Sequence, residues 1–125
     1  MIIITGEIHS SKNSRRILPT GSARRPYILA KSESAKADES SFAFQLAAQR
    51  GEWERMIRWS DYPLSVVFRF RRATHRRFDY VNIVQGILDA MVKCGYLPDD
   101  DARHVLPIFM PYILDKENPG CEILV

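Results

Sequence analysis

Two cysteines in 125 residues, Cys94 and Cys121, are too few for a disulfide framework, and neither has a histidine at the intervals zinc sites use. Their scarcity points to a reduced, cytoplasmic setting. No apolar run approaches 18 residues, so nothing in the sequence reads as a membrane span. The opening MIII is too short for a signal-peptide core and has no positive segment before it. Internal repeats, low-complexity tracts and linkers are lacking as well. With 46% hydrophobic residues, the chain reads as one domain over 1–125 with a core of ordinary size.

Acid is scarce where base is dense. The total of 18 Lys and Arg against 15 Asp and Glu gives only +3. Residues 1–31, however, carry Lys12, Arg15, Arg16, Arg24, Arg25 and Lys31 against Glu7 alone, and RFRRATHRR (69–77) contains five arginines and no acid. Thirteen of the 18 basic residues are arginines, whose planar fork donates two hydrogen bonds to one phosphate, so a polyanionic partner is expected. The plainer reading is a solvated charged surface.

The β-branched opening MIIITGEI predicts a strand, broken or bulged at Gly6. Pro19, Gly21 and Pro26 then punctuate two short apolar runs, which suggests a hairpin or a mobile basic loop. Ser32 to about Trp59 reads as helix, with Phe42, Phe44, Leu46, Ala47 and Ala48 as its apolar group and a break near Gly51. LSVVFRFRR (64–72) predicts a strand with Val66, Phe68 and Phe70 on a core face and Val67, Arg69 and Arg71 on a charged one. YVNIVQGILDAMVKC (80–94) is strongly amphipathic, and Gly95 falls where a left-handed cap would end it. Residues 103–114 look extended, but Pro107 and Pro111 remove ladder donors and place them at a sheet edge; 121–125 read as a last strand. The fold class is α/β in the broad sense (α+β), a mixed sheet with two main helices.

One stretch resists a purely structural reading. GYLPDDDARHV crowds Asp99, Asp100 and Asp101 together, although two charges ~4 Å apart repel by about 1 kcal/mol in water and about 4 kcal/mol near a protein surface. A cation, solvent or a helix end must offset that. Asp79 opens the preceding helix, where its plain role is an N-cap, and aspartate after proline suits a turn. A helix of about 15 residues is ~22 Å long, so its two ends share a site only if the chain after Gly95 doubles back along the polar face.

The run RFDYVNIVQGILDAMVKCGYLPDDDARHV (77–105) resembles the core motif of the RusA-type Holliday-junction resolvases. There an Asp-x-Asp-Asn begins a helix that ends in Asp-Ala-Leu-x-x-x-Gly and is followed by an Asp-Asp turn. SKNSRRI (11–17) is similar to a Lys-Asn-Ser/Arg segment near the start of many members. The resemblance implies an intertwined homodimer that binds branched DNA, the four-way junction above all. It further implies carboxylate-held Mg2+ for phosphodiester hydrolysis, and a bacterial, prophage or phage setting.

Carried over by position, the resemblance assigns Asp79 and Asp100 as catalytic carboxylates and metal ligands, Asn82 as a neutral oxygen donor, and Asp99 and Asp101 as supplementary ligands. Lys12, Asn13, Arg15, Arg16, Arg72, Arg76 and Arg77 become the expected DNA contacts. Two positions depart from the pattern: the family's second aspartate falls on Val81, and its lysine falls on Gln85. On a helical wheel Val81 lies only about 20° beyond Leu88, at the border of the apolar arc, so a ligand has been exchanged for core surface. Lys93 lies two turns from Gln85 and suits the negative helix end better than a replacement charge. His75 and His104 read as surface or phosphate-contacting residues rather than general bases, and Trp53, Trp59 and Tyr62 as core rather than base-stacking residues. The competing functions are a junction-binding protein that cuts weakly or not at all, and an RNA-binding or phage structural module.

Overall fold

Alternating apolar and charged residues over 64–72 set the centre of the molecule. In the computed structural model, which describes residues 1–10, 15–19, 27–31 and 33–125, with side chains at 1–10 and 36–125, these residues form the hub of a mixed sheet. In chain order the elements are β1 (Ile2–Thr5), β2 (Arg15–Pro19), β3 (Tyr27–Lys31), α1 (Glu33–Ala48), α2 (Arg50–Ile57), β4 (Leu64–Arg72), α3 (Tyr80–Lys93), β5 (Val105–Phe109), β6 (Ile113–Leu114) and β7 (Gly120–Leu124). The protein is a small mixed α+β fold with three helices among the described residues.

The sheet order is β1-β7-β4-β5, with β6 also pairing β4. β7 runs antiparallel to both β1 and β4, while β5 and β6 run parallel to β4. Parallel pairing needs a crossover, and α3 supplies it between β4 and β5. The edge position expected for 103–114 is found. The last strand, in contrast, lies inside the sheet, where Gly120 is required: a Cβ there would sit 2.1 Å from the Ile4 carbonyl oxygen. β2 and β3 pair antiparallel as a separate two-stranded sheet, so of the two readings of the basic segment the hairpin holds for these strands.

Val66, Phe68 and Phe70 of β4, Ile2 and Ile4 of β1, and Cys121 and Ile123 of β7 form one buried face. Phe42 and Leu46 of α1, Trp53 of α2 and Ile83, Val84, Ile87, Leu88 and Met91 of α3 belong to the same core. Burial pushes the Cys121 thiol up, which makes it an inert core group. The helical stretch expected over 32–59 is two helices, divided at Gln49, two residues before the break expected near Gly51. Gln49 has tertiary work instead: its carboxamide accepts from Ile3 N (2.9 Å) and donates to Ile3 O (2.7 Å). Gln45, one turn earlier, does the same with Thr5 N (2.7 Å) and Thr5 O (3.0 Å). Two side-chain amides thus close the edge of β1, whose outward backbone groups would otherwise invite another strand.

The charged face of β4 corrects the sequence reading of its arginines. Glu122, one residue of the last strand, lies opposite Arg69 and is only 1% exposed. Both Arg69 and Arg71 pair with its carboxylate. These two arginines therefore neutralise a buried acid of their own chain. The apolar group assigned to α1 also divides: Phe42 and Leu46 are buried, but Phe44 is exposed. Trp59, 87% exposed, and the half-exposed Tyr62 are not core residues, whereas Trp53 is.

Removing one partner of a buried ion pair costs about 3–5 kcal/mol when the other is stranded without water. Arg69 and Arg71 keep some solvent access, so Glu122→Ala is expected to destabilise by about 2 kcal/mol, below that range. Urea unfolding, comparing midpoints at constant slope, checks this.

Candidate functional site

Helix α3 organises the candidate site. Asp79 is its N-cap residue, extended at φ −113° and ψ 130°, and its carbonyl accepts from Asn82 N (3.1 Å) and Ile83 N (3.2 Å). Its side chain makes no capping hydrogen bond. Instead Asp79 Oδ2 accepts from Asn82 Nδ2 at 3.1 Å, leaving an exposed carboxylate beside a carboxamide oxygen. A hollow of about 430 Å³ adjoins this pair, lined also by His9, Ser10, Arg72, Arg77 and Phe78. His9, which the sequence did not single out, is paired there with Asp38 at 3.0 Å.

At its other end α3 closes as expected. Gly95 adopts φ 77°, and Tyr96 N donates to Met91 O at 2.8 Å, the bonding of a left-handed cap. Tyr96 then anchors the reversal. Its ring stacks on Trp53 at 5.0 Å between centroids, its carbonyl accepts from Trp53 Nε1 at 2.9 Å, and its hydroxyl donates to Leu46 O. Burial pushes the Tyr96 hydroxyl up to about 12.

The reversal brings the aspartate turn back along the polar face of α3. Gln85 Nε2 donates to Asp89 Oδ1 at 3.1 Å and reaches Asp100 Oδ2 at 3.5 Å. A shallow hollow of about 240 Å³ is lined by Asp89, Val92, Lys93, Asp99 and Asp100. Lys93 stands at this hollow and pairs with Glu39, which, with Asp89, holds its ammonium above the usual range.

Each aspartate of the turn has a different partner. Asp99 Oδ1 accepts from Asp100 N at 2.8 Å. Asp100 has the Gln85 amide. Asp101 accepts from His104 Nδ1 and from Arg103 Nε at 2.8 Å, and these two contacts, His104 first, hold its carboxyl below the usual carboxylate range. The repulsion in the turn is thus relieved largely within the chain. Asp101 is occupied as a support for the turn, and His104 is its partner.

Asp79 and Asp100 line different hollows, and Gln85 stands six residues, about 9 Å of helix axis, from Asp79. Among the described residues no three His, Cys, Asp or Glu side chains converge as metal ligands would. The donors present, exposed carboxylate and carboxamide oxygens, are nevertheless the hard type magnesium takes. Asp89, a polar-face residue not singled out from the sequence, is the carboxylate brought nearest to the turn by a shared donor. Val81 corrects the wheel reading: it is 67% exposed, so the exchanged residue faces solvent and is not core surface.

The expected DNA contacts fall into three groups. Lys12 and Asn13 lie outside the described residues, as do the side chains of Arg15 and Arg16. Arg72 is partly buried: it donates to Ile8 O at 2.8 Å and lies over the Phe78 ring at 4.6 Å, so it braces the hollow wall. Arg76 and Arg77 are exposed and make no ion pair among the described residues. His75 contacts the Tyr112 hydroxyl at 3.0 Å. In comparisons with known proteins, the chain matches no family model and no curated protein.

Depression of a carboxyl's folded value means its contribution to stability is present above the unfolded value and is lost as pH falls through the folded one. In a carbon-detected NMR titration the Asp101 carboxyl is expected to titrate below an ordinary aspartate. His104→Ala should move it upward, and an unmoved midpoint would show that the His104 contact does not form.

Proposed function

We propose that this protein is a magnesium-dependent, structure-selective endonuclease acting on branched DNA, four-way junctions above all, and working as a homodimer of RusA-like subunits. The observation that carries the reading is the chain reversal after α3. It returns the turn of three aspartates to the polar face of the helix that Asp79 opens, bringing Asp100 to Gln85 and Asp89 while Asp79 and Asn82 line a separate hollow. Asp79 with Asn82 at one hollow, and Asp100 with Asp99 and Asp89 at the other, are the two sets of oxygen donors that would hold magnesium. The ion would supply Lewis acidity at a phosphate oxygen and a more acidic bound water. The chain itself supplies exposed oxygen donors, an amide from Gln85 that spaces Asp89 from Asp100, and the outward arginines Arg76 and Arg77 beside the Asp79 end. Two copies would present two such sites, as paired nicks require.

A second reading, a junction-binding protein with little or no cutting, is favoured by the two positions that depart from the motif. A neutral amide stands between Asp89 and Asp100, at a position where the motif calls for lysine, and Val81 offers no ligand.

Cleavage of a four-way junction over a magnesium titration tests the first reading. Cutting is expected only with the metal; Asp79→Asn and Asp100→Asn should each lower it at least a hundredfold, about 2.7 kcal/mol of barrier, with binding retained. Binding without cutting at any magnesium concentration would select the second reading. Equal affinity for linear duplex and junction would sink both.

Binding should also depend steeply on salt, each neutralised phosphate contributing roughly −0.9 to the slope of log affinity against log salt. Replacing Arg76 and Arg77 by Ala is expected to reduce that slope by about 2. An unchanged slope would place these arginines away from the DNA.

A further inference from the structure

We infer that His9, held by Asp38, is the proton acceptor for the attacking water at the hollow beside Asp79. The inference rests on the phosphodiester hydrolysis proposed above and adds to it a catalytic residue outside the motif at 77–105.

The chain around His9 is fixed by its own contacts. Ile8 is buried, and its carbonyl accepts from Arg72 at 2.8 Å. His9 N donates to Asp38 Oδ2 at 2.7 Å, and the ring Nδ1 lies 3.1 Å from Asp38 Oδ1 and 3.0 Å from Oδ2. Asp38 comes from α1, and its side chain is only 13% exposed, whereas that of His9 keeps 44%. An ionised carboxylate can only accept, so Nδ1 carries a hydrogen, and in the neutral ring the lone pair then sits on Nε2. With Nδ1 engaged by Asp38, Nε2 is the ring nitrogen left for the hollow that His9 helps to line.

The other walls of the hollow suit the same reaction. Arg72 from β4 and Arg77 ahead of α3 supply positive charge for a phosphodiester, and Asp79 and Asn82 supply oxygen donors. These two arginines and Asp79 are the charged groups that line the hollow with His9; among the described residues Asp38 is the acid paired with His9, and Asp79 is not. In the step itself the water oxygen bonds to phosphorus as its proton passes to His9 Nε2, and the bond from phosphorus to the leaving sugar oxygen breaks. That oxygen takes a proton from solvent, and the imidazolium, whose charge faces Asp38, returns its own proton to solvent. Asp38 is a positioning residue, since it sets the tautomer and direction of the ring and touches no reacting atom. A pair made only to brace α1 against the segment after β1 would have no effect on proton transfer, which is what separates the two roles.

Cleavage of a four-way junction and hydrolysis of bis(nitrophenyl) phosphate, both with magnesium, test the step. His9→Gln is expected to lower kcat on both by on the order of a hundredfold or more, with junction affinity and melting temperature little changed. It should also remove the fall of kcat at low pH that protonation of His9 gives the wild type. Free imidazole is expected to restore part of the rate to His9→Ala, which a bracing role would not allow. Nitrophenolate leaves without a proton, so an effect of His9 confined to the junction would make it an acid for the leaving group and overturn the inference, as would full activity of His9→Gln on both substrates. A readout free of metal and activity is nitrogen NMR of the imidazole at alkaline pH, which is expected to place the hydrogen on Nδ1 in the wild type and on Nε2 in Asp38→Ala. A wild-type ring with its hydrogen on Nε2 overturns the inference. Hydrolysis of the simple ester that depends on His9, without junction cutting, would remove the branched-DNA reading and leave the step standing, while a wild type that hydrolyses neither removes both.

Discussion

The packing of Tyr96 against Trp53 fixes the chain reversal on which the rest of the arrangement depends. A helix ending in glycine can be followed by many directions of chain; here burial of Tyr96 and Leu97, the ring stack and the hydrogen bonds to α1 and α2 permit one. That direction has two consequences. It lays Asp99–Asp101 along the polar face of α3, and it delivers the chain into β5 parallel to β4, so the candidate site and the sheet topology share one cause.

Charge in this protein is organised by location more than by total. Arg69, Arg71, Arg72, Arg76 and Arg77 form one basic block in the sequence, yet strand alternation and two turns send them to different duties. Two hold a buried glutamate, one braces a hollow against Phe78, and two are left outward. The triple aspartate behaves likewise, with one residue spent on its own turn, one on Gln85 and one on a histidine and an arginine. Adjacent like charges are tolerated here because each acquires a separate donor, which lowers the repulsion a bound cation would otherwise have to offset.

The sheet shows a similar division. Its inner face is covered by three helices and its edges are closed by side-chain amides and proline, while its outer face keeps apolar residues in solvent around an internally paired carboxylate. These are the features of a sheet protected against lateral growth.

Period and punctuation in the sequence were enough to place β4 at 64–72, α3 at 80–93, the glycine cap at Gly95 and the edge position of the proline-bearing strand. Those features depend on interactions within a few residues. The sequence also held the condition for a site, a chain that doubles back after Gly95, without deciding it. What only the tertiary structure decided are matters of long-range partnership: Gln49 dividing the helices, Glu122 taking Arg69 and Arg71, Asp101 taking His104, the inner position of the last strand, and Val81, Trp59 and Tyr62 facing solvent. A helical wheel gives the angle of Val81 but not how far the neighbouring elements reach around the helix, and a tally of arginines gives charge but not which acid, fifty residues away, lies across the next strand.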